Sequence, residues 1–298
     1  MDDSRKYLDP KVLSRLNGLA LRAKLVVEGY VSGVHRSPFH GFSVEFAEHR
    51  EYAPGDDLRY LDWKVFGRTD KFYLKQYEEE TNLACHLLVD TSESMTYRSE
   101  AASMSKLDYA CCAAASLAYL ILHQQDSVGL VTLDRTIRSL VRPSANPSHL
   151  EQLIAVMEGA VPEKKTALGP IFHELAGRFG KRGIVIVLSD LFDDVEAMVK
   201  GLKHLRHRRH EVVLMHVLDP AELEFPFEQT MLFRGLEQAP QVIAEPRSLR
   251  RAYLEEFNAY VRRLKYACRA NRMDYVQLQT DHSLAVVLSS YLASRGRR

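Results

Sequence analysis

Short apolar runs separated by stretches of helical spacing dominate the chain from residue 84 onward. Runs such as Ala84-Cys85-His86-Leu87-Leu88-Val89 and Gly183-Ile184-Val185-Ile186-Val187-Leu188 are apolar at successive positions, as in strands covered on both faces. Strands are accordingly predicted over 84–90, 127–134, 136–142, 183–190, 211–219 and 275–280. Helices are predicted over 106–124, 148–159, 168–179, 193–207, 247–270 and 283–294. This alternation is that of βαβ units, and it predicts an α/β fold: a mainly parallel sheet of about six strands with helices on both faces. Little more than Arg135 separates the second and third strands, so those two must form a hairpin and one strand must run antiparallel. The 106–124 helix is apolar nearly all round (Ala110, Cys111, Ala113, Ala114, Leu117, Ala118, Leu120 and Ile121). It is expected to lie buried against the sheet.

The texture before residue 84 differs. A helical pattern over 10–27 gives way to a stretch dense in aromatics, charges and turn residues, including the turn signal Pro54-Gly55-Asp56-Asp57. Two parts are therefore expected: an N-terminal segment over 1–83 packed on the main domain, and that domain over 84–298. Near 220–246, Pro220, Pro226, Pro240 and Pro246 interrupt any period and predict an irregular insertion with a short hairpin.

Composition narrows the function classes. Apolar residues make up 46% of the 298 and charged residues 27%, which suits a soluble domain with a sizeable core. A formal charge of +1 gives no overall field to attract nucleic acid or an acidic membrane. The four cysteines (Cys85, Cys111, Cys112, Cys268) lack Cys-x-x-Cys spacing and read as small core residues in a reducing compartment. The N-terminus carries no apolar stretch of the signal-peptide kind, and the longest apolar span, 110–122, falls short of the roughly 20 residues a bilayer needs. A cytoplasmic location is expected.

Chemistry concentrates at strand ends. Asp90-Thr91-Ser92-Glu93-Ser94 follows a buried strand, so one carboxylate and two alternate hydroxyls can turn toward a single point. Hard divalent cations take oxygen ligands of this kind. A second apolar strand ends in Ser189-Asp190, and the loop Lys165-Thr166-Ala167 offers another hydroxyl. In doubly wound sheets, ligands bind beyond the carboxyl ends of the strands where strand order reverses, which would bring Asp90 and Asp190 together. Taken singly, Asp90, Ser92 and Ser94 also suit a hydrogen-bonded turn, and Thr166 an ordinary helix cap.

Asp-x-Ser-x-Ser, a later Thr and a later Asp after an apolar strand resemble the metal-ion-dependent adhesion site of von Willebrand factor A domains. The resemblance implies a Rossmann-like fold in which Ser92, Ser94 and Thr166 ligate Mg²⁺ directly. Asp90 and Asp190 would hold it through waters, leaving one position for a partner's carboxylate. Mn²⁺ and Ca²⁺ are the alternative ions. The N-terminal part adds His35-Arg36-Ser37, Gly41-Phe42-Ser43-Val44-Glu45-Phe46, Arg50-Glu51-Tyr52-Ala53-Pro54-Gly55-Asp56-Asp57-Leu58-Arg59 and Asp62-Trp63-Lys64. These resemble the domain-of-unknown-function 58 family, similar to a MoxR-associated von Willebrand A-like group whose partners are MoxR-type AAA+ ATPases. What is implied is a non-enzymatic adaptor for such an ATPase. No Gly-x-x-x-x-Gly-Lys-Ser/Thr sequence is present, so ATP hydrolysis would belong to the partner.

Competing chemistries are weaker. An Mg²⁺-dependent phosphoester hydrolase using Asp90 would want a second Asp two residues on, where Ser92 stands. A scaffold with a vestigial metal site is the other alternative. His204, His207 and His210 among Lys203, Arg206, Arg208 and Arg209 suggest zinc less than a solvated helix end. The mixed charges of Arg50, Asp56, Asp57, Arg59, Asp62 and Arg68 read as a salt-bridged platform anchored by Trp63, with a second binding face as the alternative.

Overall fold

The computed structural model describes residues 84–162, 167–180, 182–233 and 242–295. Before these it describes Leu19, Ala23, Val26, Val27, 46–51, Val65, Gly67 and 72–77. The chain divides into two compact units: 1–38 together with 84–298, and 39–83. In the smaller unit, β1 (Phe46–Glu51) and β2 (Tyr73–Tyr77) pair antiparallel. The charged cluster of Asp56, Asp57, Arg59, Asp62 and Arg68, with Trp63, lies outside the described residues.

In the larger unit, the strands are β3 (Ala84–Asp90), β4 (Ser127–Leu133), β5 (Ile137–Ser144), β6 (Gly183–Ser189), β7 (Glu211–Leu218) and β10 (Asp274–Gln279). They line up β5-β4-β3-β6-β7-β10, the order of doubly wound sheets, and reverse direction of growth between β3 and β6. All neighbours are parallel except β4 and β5, the hairpin that Arg135 demands. Central strands β3, β4, β6 and β7 are buried almost throughout. Outermost β5 alternates half-buried and exposed positions, so only one of its faces meets the core.

The helices are α1 (Lys106–His123), α2 (His149–Glu158), α3 (Leu168–Arg178), α4 (Val195–His207), α5 (Pro220–Glu224), α6 (Pro246–Ala270) and α7 (Leu284–Arg295). Leu88, Val185, Val187 and Leu214 on one sheet face pack against Phe172, Leu175, Met198, Leu202 and Leu264 of α3, α4 and α6. Helix α1 crosses β3, β4, β6 and β7 and is buried nearly all round, as its composition requires. It starts at Ser105, whose hydroxyl accepts from the Asp108 amide at 3.1 Å. Leu19, Ala23, Val26 and Val27 are helical and buried, and the Leu19 amide donates to Glu158 Oε1 at 3.1 Å. All four cysteines are free and buried.

The described parts of the predicted insertion, 220–233 and 242–246, hold more regular structure than the sequence suggests. Asp219 caps α5 through a reciprocal capping box with Glu222, with Pro220 at the first helical position. The predicted short hairpin is β8 (Met231–Phe233) paired with β9 (Val242–Ala244).

Helices α3 and α4 touch backbone to backbone. A Cβ at Gly201 would sit 2.5 Å from the Gly169 carbonyl oxygen and 2.9 Å from Phe172 Cβ. Gly201→Ala is therefore expected to force the helices apart and cost about 2 kcal/mol, measurable as a lower midpoint in urea unfolding. An unchanged midpoint would mean that the helices separate freely.

Candidate metal centre

Strands β3 and β6 run parallel with Val89 opposite Leu188, so their carboxyl ends finish together at the point of reversal. Asp90 ends one strand and Asp190 follows the other, and each is about 1% exposed. The residue after Asp90 stays tied to the neighbouring strand: the Thr91 amide and hydroxyl both donate to the Leu133 carbonyl of β4, at 2.7 and 3.0 Å. A single 3-10 turn over Glu93–Thr96 then brings Ser94 beside Ser92, with their hydroxyl oxygens 3.1 Å apart.

Asp90 is held at both oxygens. Its Oδ1 accepts from the Ser92 amide at 2.9 Å, and Oδ2 from the Ser189 hydroxyl at 2.6 Å. Burial first, and the neighbouring Asp190 charge second, push its pKa up to about 7 against those hydrogen bonds. Beyond Asp190, Leu191 adopts a left-handed φ of 56°, a costly conformation for a leucine. The Leu191 amide donates to Ser189 Oγ at 2.9 Å, and the Tyr260 hydroxyl donates to the Leu191 carbonyl, so the turn is fixed from both sides.

The structure adds two residues that sequence reasoning missed. The Lys106 ammonium, 1% exposed, bonds Asp190 Oδ2 at 2.8 Å and Glu222 Oε1 at 2.6 Å. Burial works against its charge, but the two carboxylates outweigh burial and raise its pKa. Burial raises that of Glu222, with Lys106 opposing. Phe192 covers the ammonium, with Nζ 5.1 Å from the ring centroid. One signal was available: a lysine in the first turn of a helix opposes the helix dipole and asks for an anionic partner. Below Asp190, His216 shares a 2.7 Å hydrogen bond with the Tyr275 hydroxyl, and burial lowers its pKa to about 4, so it is neutral at pH 7.

These residues fit a hard divalent cation. Mg–O distances of about 2.0–2.1 Å place adjacent ligands of an octahedron about 2.9 Å apart, close to the spacing of Ser92 Oγ and Ser94 Oγ. Among the described residues the Lys106 ammonium is matched by Asp190 and Glu222, so ionisation of Asp90 above pH 7 leaves negative charge for a cation to match. Thr166 lies outside the described residues. Its neighbour Ala167 donates to the Asp134 carbonyl at 3.4 Å, and the Leu168 amide to Asp193 Oδ2 at 2.6 Å. Among the described residues, no three His, Cys, Asp or Glu side chains converge as a metal cluster. The zinc alternative accordingly gains nothing. His210 is buried near Phe179, not solvated, and His204 Nδ1 lies 3.0 Å from His173 Nδ1.

A family model described as "Protein of unknown function DUF58" matches residues 48–263. The chain belongs to the DUF58 family. A relative, the uncharacterised protein Rv1480 of Mycobacterium tuberculosis, is 27% identical over 97% of this chain and 91% of its own length. Among solved structures, BatB from Bacteroides thetaiotaomicron aligns with 72% of this chain and 100% of its own at 14% identity and a TM-score of 0.46. The SpRpn10 VWA domain aligns with 69% of this chain and 93% of its own at 12% identity and a TM-score of 0.39. No helix among the described residues is long and apolar enough to cross a membrane.

Proposed function

We propose that this DUF58 protein is a non-enzymatic interaction module that captures a carboxylate of a partner protein through a divalent cation, Mg²⁺ by the chemistry of its ligands. The observation that carries the reading is the pair of serine hydroxyls 3.1 Å apart beside two buried carboxylates at the point of strand reversal. Ser92, Ser94 and Thr166 would ligate the ion directly, with Asp90 and Asp190 as outer ligands. A bound Mg²⁺ would supply an electrophilic position for an incoming Glu or Asp. Around it, Ser189 and the Ser92 amide hold Asp90, and Lys106 holds Asp190. By family resemblance the partner is a MoxR-type AAA+ ATPase, and the pair would remodel or assemble another protein.

A hydrolase using Asp90 as nucleophile is disfavoured by the same geometry. Both oxygens of Asp90 are engaged and the residue is 1% exposed, whereas an attacking carboxylate must reach its substrate.

Pull-down from native lysate with the tagged protein, in Mg²⁺ and in EDTA, tests the reading. A MoxR-type ATPase retained only in Mg²⁺, and lost with Ser92→Ala plus Ser94→Ala, is the expected result. Retention that ignores both chelator and mutation would leave a scaffold with a vestigial metal site. Metal-dependent turnover of a generic phosphoester that is abolished by Asp90→Asn would overturn the non-enzymatic reading.

A further inference from the structure

At the other end of the strands, away from Asp90 and Asp190, lies a second charged site. The starts of β6, β7 and β10 meet the last turns of α4, α6 and α7 around an open cleft of about 600 Å³. Among the described residues, five guanidiniums and two carboxylates line it, a surplus of three positive charges. Arg295 bridges both carboxylates: its Nη2 donates to Glu211, and its Nε lies 3.5 Å from Asp274 Oδ2. Arg182 approaches Glu211 at 3.9 Å. Arg206 anchors one nitrogen on the His210 carbonyl at 2.9 Å.

Arg209 and Arg272 are different. Each is exposed, and neither has a carboxylate within ion-pair distance among the described residues. Each also sits just past a helix end in the left-handed region, at φ 66° and 53°. That position is normally glycine's, because a side chain there is strained. Gln125 is in the same conformation after α1 but does not line the cleft. The helix-to-strand junctions leading into the neighbouring strands β7 and β10 thus each keep a strained arginine where glycine would be more stable, and both arginines border the same cleft. Strain retained at a convergent, unneutralised charge cluster is a mark of function.

The lining also defines the ligand. Among the described residues its lining is charged apart from Val212 and holds no aromatic ring, so it offers a ligand charge and shape and no apolar face. Planar guanidinium forks match phosphate oxygens two at a time, and several forks around one cleft suit linked phosphates. The volume is that of a small-molecule site.

We propose that this cleft binds a compact polyphosphate anion, either inorganic or the phosphate tail of a nucleotide. The site does not depend on the candidate metal centre at the opposite end of the strands.

Calorimetric titration of the full chain with inorganic tripolyphosphate, ATP and citrate, in metal-free buffer at about 0.15 M salt, tests it. Saturable binding of tripolyphosphate, with citrate at least tenfold weaker, is expected. ATP binding as tightly as tripolyphosphate would identify the nucleotide tail as the source, and ATP binding much more weakly would identify free polyphosphate. The deciding variant is Arg209→Gly plus Arg272→Gly. It should keep or raise Tm, since glycine relieves both strained positions, while weakening tripolyphosphate at least tenfold. No saturable binding, citrate equal to tripolyphosphate, or unchanged affinity in the double variant would overturn the proposal.

Discussion

Asp90→Asn is expected to raise the Tm of the metal-free protein at pH 8 while abolishing its response to Mg²⁺. In the folded state burial and Asp190 lift the Asp90 carboxyl from its ordinary 3.8 to about 7. A carboxyl raised in this way favours the folded state fully below about pH 4, and that contribution is lost as pH rises through 7. By pH 8 ionisation costs the metal-free protein on the order of a few kcal/mol. Asparagine keeps an acceptor for the Ser92 amide and removes the charge, so Tm should rise by roughly 5–10 °C at pH 8 and little at pH 5. The native protein should gain most from Mg²⁺ at pH 8, when Asp90 needs a counter-charge. Thermal scans at both pH values, with and without Mg²⁺, check all of this. A variant less stable than the native protein at pH 8 would mean that Lys106 already neutralises the pair, and that no cation is wanted.

Lys106→Met should be the most damaging single change near the site. It would leave Asp190 and Glu222 buried without their ammonium, and breaking a buried ion pair from one side costs about 3–5 kcal/mol. Urea unfolding at pH 8 should show that loss. Adding Glu222→Gln should recover part of it, because one of the two stranded charges disappears. If Lys106→Met unfolds at the native midpoint, the ammonium is not what holds Asp190.

Strands β3, β4, β6 and β7 were legible because their apolar runs are nearly uninterrupted, and the hairpin because one residue cannot make a crossover; β1 and β2, which lack such runs, were not. The carboxylate pair was legible for a related reason: a polar residue ending a buried strand has few places to go. Lys106 was not, since its partners lie 84 and 116 residues away and no local pattern marks an ion pair of that span. Helix α5 was obscured by composition. The prolines around it suggested irregularity, although Asp219-Pro220-Ala221-Glu222 is a capping box with proline at the first helical position. The buried state of His210 was hidden because the charges beside it suggested solvent, whereas it is the neighbouring Arg208 and Arg209 that face water.

Outermost among the described strands, β5 also bears on how the molecule meets others. A free sheet rim invites another chain to add a strand, the route to edge-to-edge aggregation. Here the rim strand carries Arg138 and Arg142 and includes Pro143, which has no amide hydrogen to offer. Such a rim resists strand addition, which agrees with the proposal that partners meet the ends of the sheet, where loops and helix termini lie.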